Sequence, residues 1–415
     1  METRRNALLK GFDENHDFMK TKVERGIAQN RMGNIKLQFT DQGGNPLVNK
    51  DVSINQKTHD FNFGCSIFLL DELESAEENQ IYMDKFRSIF NYAIAPFYWK
   101  DLEPEQGKPR YDKDSYKVYR RPAPDLVLEY CEKYGIRVKG HCLVYHTFTP
   151  AWMPDSVATQ KSLTQKHMKE IADRYSDRIN DWDVENENLC ANYSKFCLFE
   201  EEDYLEWCFT QADRAFSSGN RLFINEASFI WQDGRGNYQG YRSPYYMQID
   251  RLIQKGIRLD AIGLQFHQFV KREDELKPGI TLPFDPVKLY EVMDCYGSFG
   301  LPLHISEITI PSYTDNIDDE EIQAELCEKL YRTWFSHPAN DAIVYWNLVD
   351  GYTYGSENQF AGGLLHKDLS DKTAFKVLDK LINNEWKTKL NLHTDENGCV
   401  SFEGFYGNYE AIVNS

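Results

Sequence analysis

The stretch DWDVENE, residues 181–187, places Asp181, Asp183, Glu185 and Glu187 at every second position. Alternate side chains of an extended strand share a face, so strict alternation would crowd four carboxylates onto one surface, where each disfavours the ionisation of the next. Most of the four must therefore have other partners or point elsewhere. A further carboxylate, Glu307, stands in the run LPLHISEITI (301–310), which also has strand character. Two carboxylates held across a sugar can break a glycosidic bond: a protonated one releases the leaving oxygen, and an ionised one attacks the anomeric carbon or activates water. That division of labour needs surroundings that push their protonation apart, one raised by burial or by its neighbour's charge, the other kept low by hydrogen-bond donors.

The elements that must bring Glu187 and Glu307 together can be read from the apolar runs. FNFGCSIF (61–68), IFNYAIAPF (89–97), RVKGHCLVYH (137–146), INDWDVENE (179–187), RLFINEAS (221–228), AIGLQFHQF (261–269), LPLHISEITI (301–310) and AIVYWNLVD (342–350) are eight strand-like runs. Helical patterns separate most of them, such as SLTQKHMKEIADRYSDR before the fourth and EEIQAELCEKLYRTWFS before the eighth. Strand and helix alternating eight times predicts an α/β fold, a (β/α)8 TIM barrel with its helices outside. A doubly wound open sheet is the structural rival, but it does not call for eight strands, and no Gly-rich phosphate loop follows the first run. Polar residues gather at the C-terminal ends of the runs: His141, Tyr145 and His146; Asn186 and Glu187; Asn225 and Glu226; Gln265 and His267; Glu307; Trp346 and Asn347. In a barrel these ends form one mouth, where such enzymes keep their sites. One polar residue there is commonly structural; six strands ending this way point to a site.

The ends of the chain have a different style. Residues 6–31 read as a polar helix with an imperfect stripe of Leu8, Leu9, Phe12, Phe18 and Met19. NIKLQFTDQGGNPLVNKDVSINQ then predicts two strands around a Gly-Gly-Asn-Pro turn, and KTKLNLHTDENGCVSFEGFYGNYEAIV repeats the pattern at the C-terminus. The expected division is residues 1–60 as a helix and β strands, 61–385 as the catalytic barrel, and 386–415 as strands packing with the N-terminal ones. This small β module lacks an obvious aromatic platform, so bracing the barrel is its expected role.

Composition bounds the partners. A formal net charge of −18 argues against a polyanion, because nucleic-acid affinity comes largely from Lys and Arg neutralising phosphates. A neutral carbohydrate is easier to accommodate, and neither nucleic acid nor membrane is expected as a partner; the oligomeric state stays open. The acidic runs DELESAEEN and DNIDDEE are expected to face solvent, and neither has the spaced ligands and glycine of a calcium loop. Nine cysteines, an odd number with no C-x-x-C pair, fit free buried thiols in a reducing compartment. There is no apolar leader-like segment near Met1 and no run of about 18 apolar residues, so a cytoplasmic location is expected, or a secreted one if a leader has been removed. His141, Cys142 and His146 superficially look like metal ligands, but strand spacing splits them between faces, so neither a metal nor a cofactor is expected.

Five motifs, in order on these runs, resemble glycoside hydrolase family 10, the retaining endo-β-1,4-xylanases, over roughly residues 33–385. W-D-V-x-N-E is met by Trp182, Asp183, Val184, Asn186 and Glu187, and [T/S]-E by Ser306 and Glu307. G-H-x-L-V-W-H is met as GHCLVYH (140–146), G-L-Q-x-H as GLQFH (263–267), and the strand-eight Trp by Trp346. The resemblance implies that Glu187 is the general acid/base and Glu307 the nucleophile. It further implies that Asn186 bonds the sugar 2-hydroxyl, that His267 bonds the nucleophile, and that His141, Gln265 and Trp346 line the subsite where the sugar is attacked. Asp183 would be a buried structural partner, and Glu185 replaces an apolar residue of the family. Asn186 and Glu187 are adjacent, so both reach the site only if the strand bulges or ends there.

The chain also departs from that pattern. The family's Glu-Asn pair and Met-Lys-Trp after strand two are replaced by Ala95, Pro96, Phe97 and Tyr98; its E-x-D at strand seven is Glu307-Ile308-Thr309; its strand-three Trp is Tyr145; and the aromatic after strand eight is Tyr354. Tyr145 and Tyr354 are thereby candidates to stack on sugar faces. The expected activity is retaining hydrolysis of β-1,4-xylosidic bonds in xylan or xylo-oligosaccharides, with two rivals: the same chemistry on another β-glycan or β-glycosidic conjugate, and a glycan-binding barrel without turnover.

Overall fold

The computed structural model describes residues 4–231, 240–278, 280, 283–313 and 317–413. The chain starts with consecutive helical segments over residues 4–31, then enters β1 (Met32–Gln38) and β2 (Asp51–Gln56). Each of the eight apolar runs then forms a strand: β3 (Asn62–Ser66), β4 (Tyr92–Pro96), β5 (Arg137–His141), β6 (Asp181–Asn186), β7 (Arg221–Glu226), β8 (Ala261–His267), β9 (Leu303–Thr309) and β10 (Asn340–Tyr345). They pair in parallel in chain order, and β10 closes onto β3. Nearly every residue of these strands is buried, because one face lines the lumen and the other meets the surrounding helices. The predicted (β/α)8 barrel is the observed fold.

The lumen is polar in layers, and β6 supplies a rung to each. At the N-terminal end Asp181 accepts from Arg221 Nε at 2.7 Å and from the Tyr92 hydroxyl at 2.6 Å, while Arg221 Nη1 reaches Asp341 at 2.7 Å. One layer up, Lys139 Nζ lies 2.6 Å from Asp183 Oδ1, and His141 Nδ1 is 2.8 Å from Asp183 Oδ2. Burial disfavours the Asp183 carboxylate, yet Lys139 and His141 hold its pKa below the usual range. A bulge between Asp183 and Glu185 in the pairing with β7 breaks the alternation. Glu185 accordingly meets Tyr204, from the helix Tyr204–Ala215, whose hydroxyl donates to it at 3.2 Å. Burial, and then the charge of Glu226, push the Glu185 carboxyl well above its ordinary range. Changing Glu185 to Leu alone orphans the Tyr204 hydroxyl and should cost about 1–3 kcal/mol. The double variant Glu185→Leu/Tyr204→Phe should recover most of that loss in urea denaturation, and a double variant no better than the single one would refute this reading.

The terminal strands pair across the two ends of the chain. The turn at residues 41–47 forms, with Asp41 N–H bonded to Asn45 O at 2.9 Å and Leu47 N–H to Phe39 O at 3.0 Å. However, β1 and β2 do not continue as a hairpin. β1 pairs antiparallel with β12 (Cys399–Phe405), and β2 lies between β11 (Lys389–His393) and β13 (Tyr409–Val413). Val52, Ile54 and Val400 are buried together with Leu37, Phe39, Leu390, Leu392 and Phe402 packed against them. Splitting the strands between two small sheets gives each apolar face a second layer, which a lone hairpin lacks.

The N-terminal helical segment is built into the barrel wall. Leu8, Leu9, Phe12, Val23 and Ile27 enter the main core, and Arg31 donates to the carbonyls of Phe335, His337 and Asn340 at 2.5, 2.5 and 2.7 Å. This corrects the reading of DNIDDEE as a solvent-facing run: Asp319 and Glu320 are buried, and Asp319 takes Arg4 Nη1 at 3.0 Å and Arg272 Nη2 at 2.8 Å. Asp315 and Asn316 of that run lie outside the described residues. All nine cysteines are unbridged, and among the described residues no helix is long and apolar enough to cross a membrane.

Candidate active site

Two local distortions aim the acids. β6 ends at Asn186, and Glu187 takes φ 57°, the left-handed region that side-chain-bearing residues seldom adopt. Its N–H still bonds Asn225 O at 2.9 Å. This turn lets the adjacent residues Asn186 and Glu187 both face the mouth. In β9 the register against β8 shifts between Ile305 and Glu307, and Ser306 Oγ donates to Asn225 Oδ1 at 2.5 Å.

The side chains form one network. Gln265 Nε2 is 3.1 Å from Glu187 Oε1 and 3.2 Å from Glu307 Oε1. Those two oxygens are thus no farther apart than about 6.3 Å, an upper bound that leaves room for the roughly 5–5.5 Å of retaining pairs. Tyr145 donates its hydroxyl to Glu187 Oε2. Asn225 Nδ2 donates to Glu307 Oε1 and to Asn186 Oδ1, both at 2.7 Å. His267 Nε2 is 3.1 Å from Glu307 Oε2, and its Nδ1 is 2.9 Å from Thr309 Oγ1. Burial pushes His267 down to about 4, so the ring is neutral at pH 7; with its hydrogen on Nε2 it donates to Glu307 once that carboxyl is ionised, and Nδ1 then accepts from the Thr309 hydroxyl. His141 spends Nδ1 on Asp183, while Nε2 lies 3.9 Å from Glu307 Oε1 with no hydrogen-bond partner. That leaves a polar atom available to a ligand beside Glu307.

Burial pushes the Glu307 carboxyl up to about 8; His141 opposes this, the charges of Glu187 and Asp183 add to it, and the Asn225 N–H opposes it. The nearby charge of Glu187 thus works with burial against ionisation of Glu307.

The network floors a cleft of about 430 Å³ walled by Phe68, Tyr98, Arg121, Phe148 and Trp346, with Tyr354 at the rim, 49% exposed. The Trp346 ring meets His141 and His267 edge-on, each at 5.7 Å between centroids. Of the residues singled out from sequence, Asn186, Glu187, His141, Gln265, His267, Glu307, Trp346 and Tyr145 converge here. Asn225 was legible only as one of several polar strand ends. Arg121 gave no signal, because it comes from a loop; its guanidinium carbon sits 4.1 Å over the Tyr98 ring, and its Nε bonds Asp101 at 2.8 Å. Among the described residues no group of three or more His, Cys, Asp or Glu is arranged to hold a metal ion. His146 instead stacks on Phe199 and bonds Ala191 O at 3.2 Å.

Residues 56–380 match the sequence model of glycosyl hydrolase family 10. The chain belongs to that family. Among sequence relatives, the anti-sigma-I factor RsgI6 of Acetivibrio thermocellus is 24% identical over 392 residues, 93% of this chain and 45% of that protein. Endo-1,4-beta-xylanase 2 of Arabidopsis thaliana is 24% identical over 392 residues, 92% of this chain and 32% of that protein. The chain thus spans less than half the length of either. Among solved structures, native xylanase 10B of Thermotoga maritima superposes with a TM-score of 0.62 at 20% identity, covering 79% of this chain and 96% of that one. This chain therefore shares the fold of that xylanase. Where a family 10 member resembling the motif would carry Glu-Asn and Met-Lys-Trp, this chain packs Tyr98 edge-on to His141 at 5.2 Å, and Thr309 holds His267 in place of a carboxylate.

Proposed function

We propose that the protein hydrolyses β-1,4-xylosidic bonds in xylan or xylo-oligosaccharides with retention of configuration. The observation that carries this reading is the Gln265-bridged pair, whose facing oxygens are within about 6.3 Å. Glu307 attacks the anomeric carbon while Glu187 gives its proton to the leaving oxygen, forming a glycosyl-enzyme; Glu187 then takes a proton from water as that water displaces Glu307. Asn225 and His267 donate to Glu307 and favour its ionised form at the moment of attack. Asn186 bonds the 2-hydroxyl, and His141 Nε2, Gln265 and Trp346 line the subsite, with Tyr145 and Tyr354 along the wall. The strands of residues 1–60 and 386–415 brace the barrel of 61–385. Nine unbridged cysteines support action in a reducing, cytoplasmic compartment.

The test is the anomeric configuration and length of products released from xylohexaose and xylan, followed by proton NMR beside a panel of β-glucans and β-mannans. Shorter xylo-oligosaccharides appearing first as the β anomer are expected; first appearance as the α anomer sinks the mechanism. The altered wall of Tyr98, Arg121 and Phe148 favours a second reading, the same chemistry on a different β-glycan or conjugate, which turnover of another panel member with xylohexaose untouched would select.

A further inference from the structure

The two oxygens of Glu187 face partners of different kinds. Oε1 is held by the Gln265 amide at 3.1 Å; that nitrogen also lies 3.2 Å from Glu307 Oε1 and 3.4 Å from Asn186 Oδ1, and every one of these neighbours is an acceptor. It carries hydrogens only, so it can give a hydrogen bond but never take one. Oε2 is held by the Tyr145 hydroxyl, which can do either by turning about its C–O bond. Tyr145 is itself held in place. Leu143 N–H bonds Asp183 O at 2.8 Å and Val144 N–H bonds Val184 O at 3.0 Å, pinning the segment after β5 to β6, while the Tyr145 ring stacks on Phe148 at 5.2 Å.

From this asymmetry we propose that Tyr145 is a positioning residue for acid/base catalysis: it selects Oε2 of Glu187 as the oxygen that carries and delivers the proton. The inference rests on the proposed retaining reaction. In the ionised state the phenol O–H donates to Oε2. When Oε2 gains a proton, from water in the second half-reaction, the hydroxyl turns and accepts from it. When that proton passes to the leaving oxygen as the glycosidic bond breaks, the hydroxyl turns back. A proton on Oε1 would meet the Gln265 N–H head-on, so that microstate is disfavoured. Burial, then the charge of Glu187, raise the phenol far above its ordinary range, so Tyr145 stays a neutral hydroxyl throughout. The bond it donates to the carboxylate is charge-assisted and stronger than the one it accepts from the acid, so its net effect favours ionised Glu187. The other titratable groups facing Glu187 are Glu307, His267, Glu185 and Glu226 from the neighbouring strands, with Tyr98, His146 and the thiols of Cys142 and Cys190 nearby. Among these, the Cys190 thiol is itself hydrogen-bonded to the Glu187 carboxyl, but as a weak donor it cannot match the phenol.

The test compares the wild type with Tyr145→Phe, which keeps the ring and its stacking. Carbon-13 NMR of the Glu187 side-chain carboxyl, assigned by its loss in Glu187→Gln, needs no substrate and is independent of whether xylan is cleaved. Its titration midpoint is expected to move up by about one pH unit, a tenfold change in the ionisation constant. With substrate, the alkaline limb of kcat/KM should move the same way. The variant should also lose about tenfold more on aryl xylobiosides with poor leaving groups than on the dinitrophenyl one, whose departure needs no acid. An unmoved carboxyl titration overturns the inference, as does a loss uniform across leaving groups, which would mark Tyr145 as a sugar-stacking wall only. A wild type that titrates as described but leaves every xyloside intact refutes the proposed substrate and not the role of Tyr145.

Discussion

Changing Glu307 to Ala is expected to lower the hydrolysis of xylohexaose by a factor on the order of 10⁴ to 10⁶, because it removes the group that forms the covalent intermediate. The fold should survive. Glu307 sits at the mouth, its partners Asn225, Gln265 and His267 are neutral, and removing a carboxyl that burial pushes up to about 8 relieves a buried acid. The small cavity left behind offers a second check. Added azide should enter it and attack an activated aryl xylobioside from the face Glu307 used, giving the α-glycosyl azide. Glu187→Ala should differ on both counts: little loss in releasing an activated aryl group, and a β-glycosyl azide formed from the intermediate that Glu307 still makes. Residual activity of Glu307→Ala within about tenfold of the wild type would show that another group is the nucleophile.

Lys139→Met is expected to destabilise the fold by about 3–5 kcal/mol, the usual effect of stripping one partner from a buried ion pair. Lys139 and Asp183 are both nearly inaccessible, 1% and 2% exposed at their side chains, and the Lys139 ammonium also lies 4.1 Å over the Phe223 ring. Without it, Asp183 keeps only His141 as a charge-stabilising partner in the lumen. Guanidinium denaturation monitored by tryptophan fluorescence reads the loss. Lys139→Met/Asp183→Asn should be less damaged than Lys139→Met alone, since the amide oxygen still accepts from His141 and no charge is stranded. A loss below about 1 kcal/mol for Lys139→Met would mean that water or a shifted proton replaces the lysine, and that the middle layer of the lumen is not an ion pair.

Much of this architecture was legible because the signals are local. Eight apolar runs with polar C-terminal ends locate the mouth without any knowledge of packing; the acids at those ends are Glu187, Glu226 and Glu307, and the resemblance to family 10 singles out Glu187 and Glu307. The roles of the four acids in DWDVENE were only half legible. Alternation correctly separates residues that share a face, but the bulge after Asp183 and the left-handed Glu187 depend on what β7 and β5 present, which the seven residues do not encode. The same limit explains the rest. Asp319 looks like a solubilising acid until Arg4 and Arg272 arrive from distant segments. Arg121 becomes part of the cleft only because its loop folds over Tyr98. The strands beside the turn at residues 41–47 take partners from the other end of the chain, and those partners let both apolar faces be covered.

That last pairing sets an order of events during synthesis. Ile35 finds its strand partner in Phe402, and Ile54 lies between Leu390 and Ala411. A ribosome therefore releases β1 and β2 long before anything exists for them to bond with, and their exposed edges must wait while the barrel strands emerge. Such distant pairings fold slowly and leave open edges at risk of joining another chain. The sealing of β1 and β2 thus waits on strands made much later in the chain: only when β11, β12 and β13 leave the exit tunnel can those edges be covered.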